Sequence, residues 1–462
     1  MNRLPIRRLI GLGILVVTVH AILLFIIIPE FGGRLGHSYN QDGFTDGYDF
    51  IAANLAAGKG YRFYPDTART MMREPGYPVL LAGLILVFGT NFFIAVKLLN
   101  MLLALATAWL MMRIAHKLSA SQLQMLAAPL LFLFHPGTLI AESRGGVEII
   151  FAFLITLFLL TIYKALEANR WLDYVIAGLV LGVTVLVRST PMLFPFLLFG
   201  YLLVIRRKQV RATGLVICRN IALMVLAMLA VLSPWIARNY SLTGKFVPTA
   251  SMLGVSAQAG QYISSHLGEG KPWWVLDREA GRERSHLAIA EGYSFKDGYD
   301  GYYQTFYKSE DELKFSKFLM QRVIAEYKRS PWLFVKSVTQ NFFNFWFAGK
   351  TPEATITNVF VQLPYLVLAL IGAVLAFRNR QAVIVAPLLL FIGYIMAVHA
   401  PIIAQARYSM PLIPLVSILA SIALVAAERK MSRRGVISDA SGQASRAFSE
   451  IPEPVGQGRA RR

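Results

Sequence analysis

Apolar residues in this chain come in long runs, the longest of about 17–25 residues and enough for a helix to cross a hydrocarbon core of roughly 30 Å. Inside a bilayer no water satisfies backbone N–H and C=O groups, so each run must bond them internally as a helix. The expected fold class is therefore an all-α polytopic membrane protein. Composition agrees: 56% of residues are hydrophobic and 16% charged, where soluble chains carry about a quarter charged residues.

The first run, 9–28, follows a basic stub of Arg3, Arg7 and Arg8. No small-x-small cleavage site comes after it, which reads as an uncleaved first helix. Further spans are expected near 92–113, 123–134, 147–162, 172–187, 191–205, 221–236, 359–377, 383–398 and 410–427, about ten in all. Segment 78–89 is apolar but short for a span, which suits an interfacial helix. Residues 135–144 are expected as a turn. Residues 334–347 are aromatic but interrupted by Lys336, Asn341 and Asn344, as in an amphipathic juxtamembrane helix. The organisation expected is a catalytic membrane core (1–236, with loop one at 30–77) and a small α-rich periplasmic portion with its juxtamembrane helix (237–356). C-terminal spans (357–427) and a disordered basic tail (428–462) follow.

The net charge of +20 suggests nucleic acid, but its distribution excludes that partner. Arginine and lysine cluster where alternate spans end, notably Arg206, Arg207, Lys208 and Arg211, and again Arg429, Lys430, Arg433 and Arg434. This is the positive-inside bias. It places both termini in the cytoplasm of a bacterial inner-membrane protein, and loop one outside. Cys218 is the single cysteine, so no internal disulfide or multi-cysteine metal site forms. The seven histidines show no metal-ligand spacing. No glycine-rich phosphate loop is present to drive a nucleotide-powered pump.

On that topology most acids and several arginines near membrane level share one side. Loop one holds Asp42, Asp46, Asp49, Asp66, Arg73 and Glu74. Other outer ends add His135, Glu142, Arg144, Glu148, Arg188, Arg238, Asn239, Gln405, Arg407 and Tyr408. A charge in hydrocarbon costs on the order of 3 kcal/mol on insertion scales, so each should face protein or a wet cavity. Arginine forks beside carboxylates suit a phosphate-bearing lipid. Plainer roles compete: Arg188 and Arg407 as snorkelling residues, Glu148 as an i,i+4 partner of Arg144, Asp49 and Asp66 as caps or solvated groups, and His135 as a turn residue before Pro136.

Loop one reads TDGYDFIAANLAAGKGY and continues to MMREPGYPVLLAG. Later come ESRGGVEIIFAF, LGVTVLVRSTPMLFP, SPWIARNYSLTGKFVP and ARYSMPLIPL. In this order the set resembles the polyprenyl-phosphate-sugar-dependent glycosyltransferases of the GT-C superfamily, in particular the bacterial family 39-type enzymes. That group includes protein O-mannosyltransferases and the lipid A aminoarabinose transferase. The resemblance implies an outer-loop aspartate as catalytic base, a few positions before a Tyr-x-x-x-Ala segment, here Tyr48 to Ala52. Asp46 fits best and Asp42 lies close. The adjacent Asp-Glu of many protein mannosyltransferases is missing, which weighs against protein mannosylation. Arg73 matches the family's loop-one arginine, and Glu74 beside it is less expected.

The resemblance also implies donor phosphate-binding roles for Arg73, Arg188, Arg238 and Arg407. Substrate contacts would come from Glu74, Tyr48, Glu148, Arg144, Asn239 and Tyr408. The partners implied are a polyprenyl-phosphate-linked sugar, an acceptor that is lipid, glycan or protein, and membrane lipids. Some members use a divalent metal and others none; no residue here is assigned as a metal ligand. Two other classes share the architecture. A secondary transporter would usually show paired repeats and broken helices meeting at the midplane, whereas this chain shows no repeat and its charges collect at one face; a non-catalytic envelope scaffold would need no aspartate.

Overall fold

A computed structural model describes residues 6–28, 47–118, 121–205, 207, 210–298, 303–379 and 381–449. Asp42 and Asp46 lie outside the described residues.

The membrane helices in chain order are α1 (Ile6–Ile22), which runs on through a π turn at Leu23–Ile27, and, after loop one with its short α2 (Tyr48–Ala56), α3 (Gly76–Phe88) and α4 (Phe92–Leu118). Next come α5 (Gln122–Leu133), α6 (Pro136–Ser143), α7 (Glu148–Ala168), α8 (Trp171–Val187), α9 (Phe194–Ile205) and α10 (Val210–Thr243). A cap follows: α11 (Leu253–His266), α12 (Trp273–Ala290), the antiparallel pair β1 (Phe295–Gly298) and β2 (Tyr303–Phe306), α13 (Ser309–Arg329) and α14 (Pro331–Phe347). Last are α15 (Pro352–Arg378), α16 (Ala382–His399) and α17 (Ile413–Ser449).

Six stretches of the described residues are long and apolar enough to cross a membrane, seven if the bent pair α5–α6 counts as one. Three shorter apolar helices, Gly13–Ile27, Trp171–Val187 and Thr190–Ile205, occupy the remaining expected spans. The protein is an all-α, multi-pass membrane protein. Two helices form its centre: α7 and the first part of α17 are 72% and 78% buried over their apolar windows, against 28–39% for the other four. Small residues allow the closest contacts. A Cβ at Gly178 would meet the Met224 carbonyl, one at Gly182 would lie 2.6 Å from Val231 Cβ, and one at Gly372 would strike the Leu419 carbonyl. In lipid, such close backbone approach replaces the hydrophobic drive that water provides elsewhere.

Three details differ from the sequence reading. Residues 135–144 are not a simple turn: His135 caps α6, its Nδ1 accepting from the Gly137 N–H at 3.1 Å, and α6 bends 52° from α5. Segment 78–89 belongs to an apolar stretch of 43 residues, Gly76–Leu118, jointed at Gly89 where φ is +54°. One crossing takes about 20 helical residues, so α3 supplies the excess. In α14, Asn341 does not simply interrupt the helix; it turns inward, its Nδ2 donating to the Ala400 carbonyl at 2.9 Å. Trp332, Phe334, Phe342 and Phe343 point outward, as an interfacial helix requires.

The acidic run 310–312 splits. Glu310 pairs with Lys314 at the surface, while Glu312 is buried. Its carboxylate accepts from Thr70 Oγ1 at 2.8 Å, from the Met71 N–H at 2.9 Å and from Ser251 Oγ, tying α13 to loop one. Burial pushes this carboxyl up, and the three donors and nearby Arg238 pull it back. Glu312→Ala strands those donors at roughly 1–3 kcal/mol for each one left unpaired. The melting temperature of the purified protein should fall by several degrees; an unchanged melt would show that loop one is held by other contacts.

Candidate active site

Loop one is stapled before it reaches the cavity. Gly47 enters α2 with φ +83°, where a Cβ would sit 3.0 Å from the Phe63 ring. The Asn54 amide donates to the carbonyls of Phe50, Arg62 and Phe63. The buried Tyr61 hydroxyl is aimed at the carbonyls of Arg73 and Glu74, at 3.0 and 3.1 Å. Burial first, then the Glu74 charge, holds its phenol well above the usual range, so it stays a donor. These contacts fix the backbone of the Arg73–Glu74 pair.

Arg73 and Glu74 face a cavity of about 540 Å³ between loop one, the C-terminal ends of α8 and α16, the segment before α17 and the cap. Of the sequence-predicted residues, Tyr48, Arg73, Glu74, Arg188, Arg407 and Tyr408 line it together. The Arg73 guanidinium lies 4.9 Å from the Tyr48 ring and 5.0 Å from the Tyr303 ring, and donates to the Tyr303 hydroxyl. Arg188 stands 4.7 Å over the Tyr408 ring, which is stacked on His399 at 4.8 Å. Aromatic faces hold a cation by their quadrupole without neutralising it. Glu74 Oε1 accepts from the Ser189 N–H at 3.0 Å, locking loop one to the turn after α8.

Other candidates are placed differently. Glu148 does not pair with Arg144; its Oε1 lies 3.1 Å from Arg407 Nη2, so the contact is long-range and orients a cavity arginine. Arg144 is exposed and off the cavity; its carbonyl accepts from the Asn100 side chain. Arg238 is not among the cavity-lining residues. Its guanidinium donates to the Thr70 carbonyl and to Asn239 Oδ1 and lies 4.5 Å from the Trp235 ring. Asn239 in turn donates to the Val247 carbonyl. Arg238 anchors loop one, because a guanidinium bound to carbonyl and amide oxygens is already committed, and Asn239 ties it to the segment after α10. Asp49 lines the cavity from the first turn of α2, and Asp66 pairs with Lys296 at the surface. Among the described residues no group of three or more His, Cys, Asp or Glu is placed to hold a metal ion.

Sequence reasoning missed the cap side of the cavity: Trp273, Asp277 and Arg284 of α12, Tyr303 of β2, and Lys350. The signal was present as polar residues on the apolar face that carries Leu276 and Ala280. It becomes legible only once α12 has a partner to face.

Residues 72–237 match the family model described as dolichyl-phosphate-mannose-protein mannosyltransferase. A search of curated proteins gave no match. Among solved structures, the chain is similar to ArnT from Cupriavidus metallidurans bound to undecaprenyl phosphate, at 15% identity over 90% of this chain and 78% of that one, with a TM-score of 0.42. The apo form of the same protein gives 15% identity over the same shares and a TM-score of 0.37. The matched segment begins at Met72, runs through Arg73, Glu74 and Arg188, and ends beside Arg238. The part of the chain that carries Arg73, Glu74 and Arg188 is thus similar to the dolichyl-phosphate-mannose-protein mannosyltransferase family.

Proposed function

We propose that the protein transfers a sugar from a polyprenyl phosphate to an acceptor hydroxyl at the outer face of the bacterial inner membrane, with inversion at the anomeric carbon. One observation carries the reading: Arg73, Arg188 and Arg407, from three separate segments, line one cavity at the ends of apolar helices. A lipid whose tail lies among helices and whose phosphate sits among guanidiniums matches that placement. A soluble anion would match only half of it.

In the reaction the acceptor oxygen attacks the anomeric carbon, its proton passes to a loop-one aspartate, and the sugar–phosphate C–O bond breaks. The electron pair leaves with the lipid phosphate, which gains a negative charge. The arginines stabilise that charge most where water is scarce. Asp46 is the preferred base and Asp42 the alternative; Gly47 and Tyr48, next along the chain from Asp46, line the cavity. Glu74 acts as a positioning group through Ser189.

The test is turnover. Purified protein in nanodiscs is given a panel of undecaprenyl-phosphate-linked sugars together with envelope lipid and glycan extract. Release of undecaprenyl phosphate coupled to a new glycoside of inverted configuration is expected. Absence of release with every donor, or retention of configuration, overturns the reading. Passage of an intact glycolipid across the bilayer without cleavage would favour transport instead.

A further inference from the structure

On the cap side of the cavity, Trp273, Asp277 and Arg284 are spaced by four and seven residues, which places them along one face of α12, and all three line the cavity. Asp277 and Arg284 are 3% and 1% exposed. Burying two opposite charges contributes little to folding relative to apolar side chains of the same volume, so stability alone does not account for them. Arg284 is held in place: its Nη1 donates to Gln258 Oε1 at 2.8 Å. Tyr303 connects this wall to the arginine side, since it lines the same cavity and its hydroxyl accepts from Arg73.

We propose that Trp273, Asp277 and Arg284 form the subsite for a neutral, polyhydroxylated ring, next to the phosphate cradle of Arg73. The inference rests on the polyprenyl-phosphate reading above and goes on to say where the sugar lies. An indole face packs against the apolar C–H face of a sugar. A carboxylate accepts from hydroxyls and a guanidinium donates to them. Asp277 and Arg284 offset each other's charge, and the carboxylate would repel a second anion, so a neutral hydroxyl-rich ring fits this wall better than a phosphate does. Lys350 lies at the exposed rim. Because Tyr303 bonds Arg73 and lines the same cavity as the α12 face, a sugar bonded directly to the phosphate reaches the subsite.

The experiment compares full-length wild type with Asp277→Asn, Trp273→Leu and Trp273→Phe in nanodiscs, by binding of undecaprenyl phosphate with and without an attached hexose or pentose. Wild type should prefer the best sugar-bearing lipid by about ten-fold, the worth of one hydrogen bond to a charged group. Asp277→Asn and Trp273→Leu should erase that preference and leave affinity for the bare lipid unchanged, while Trp273→Phe should keep most of it. If the lipid preference persists but methyl glycosides stop inhibiting transfer in the two variants, the ring belongs to the acceptor, and the subsite stands. If preference and inhibition are both unchanged in folded variants, the subsite is refuted. Wild-type protein that binds neither lipid refutes the polyprenyl-phosphate reading itself, a different result.

Discussion

Asp46→Asn should slow sugar transfer by about 10²–10⁴-fold, the usual worth of a positioned general base, while binding of the bare lipid phosphate changes little. Asparagine keeps the shape of the side chain and removes its capacity to take a proton. The loss therefore falls on the chemical step and shows in kcat. Asp42→Asn is the internal control: the base is whichever substitution carries the large effect. Full activity in both single variants and in the double variant would remove loop-one aspartates from the chemistry. Protein that melts normally yet transfers nothing in Asp46→Asn would also exclude a scaffold, because a scaffold has no step for one proton acceptor to govern.

Arg73→Ala should lower kcat/KM by about 10²–10³-fold, the scale seen when one preorganised donor to a developing anion is removed. Part of that loss is weaker donor binding and part is lost stabilisation of the leaving phosphate. Arg73→Lys should recover little. A lysine carries the charge, but it lacks the planar fork and stacks poorly between Tyr48 and Tyr303, which lie 4.9 and 5.0 Å from the guanidinium. Folding should survive, because the Tyr61 hydroxyl is aimed at backbone carbonyls of this segment that the substitution leaves in place. The measurement is donor-dependent kinetics beside a thermal melt. Wild-type kinetics in Arg73→Ala would sink the phosphate cradle, and a collapsed melt would make Arg73 a folding residue. Arg238→Ala provides the contrast: its guanidinium holds the Thr70 carbonyl, so its substitution should cost stability more than chemistry.

Much of this protein is local in origin. The apolar runs, the amphipathic pattern of 331–347 and the basic clusters at span ends each depend on a few consecutive residues meeting lipid, interface or water. The membrane class and nearly all the spans were therefore readable in order along the chain. So was the Arg73–Glu74 pair, because it lies in a short motif, although its support by Tyr61 was not. The remainder shares one cause. Four-residue spacing offers Arg144 as a partner for Glu148, yet its partner Arg407 comes from the far end of the chain. Glu312 stands in a charged run, yet it is buried against loop one. Arg238 resembled the other arginines until its oxygen partners were placed.

By itself the sequence determined that this chain lives in a membrane, where its helices run and which short motifs carry charge, since lipid forces each apolar run to satisfy its own backbone. Only the tertiary structure decided which charges meet. It brought Arg73, Arg188 and Arg407 onto one cavity, drew Arg238 away to hold loop one and Asn239 to the segment after α10, and set the α12 face with Trp273, Asp277 and Arg284 across from them. Charges far apart in sequence interact through distances that helix packing sets, and no local pattern encodes those distances.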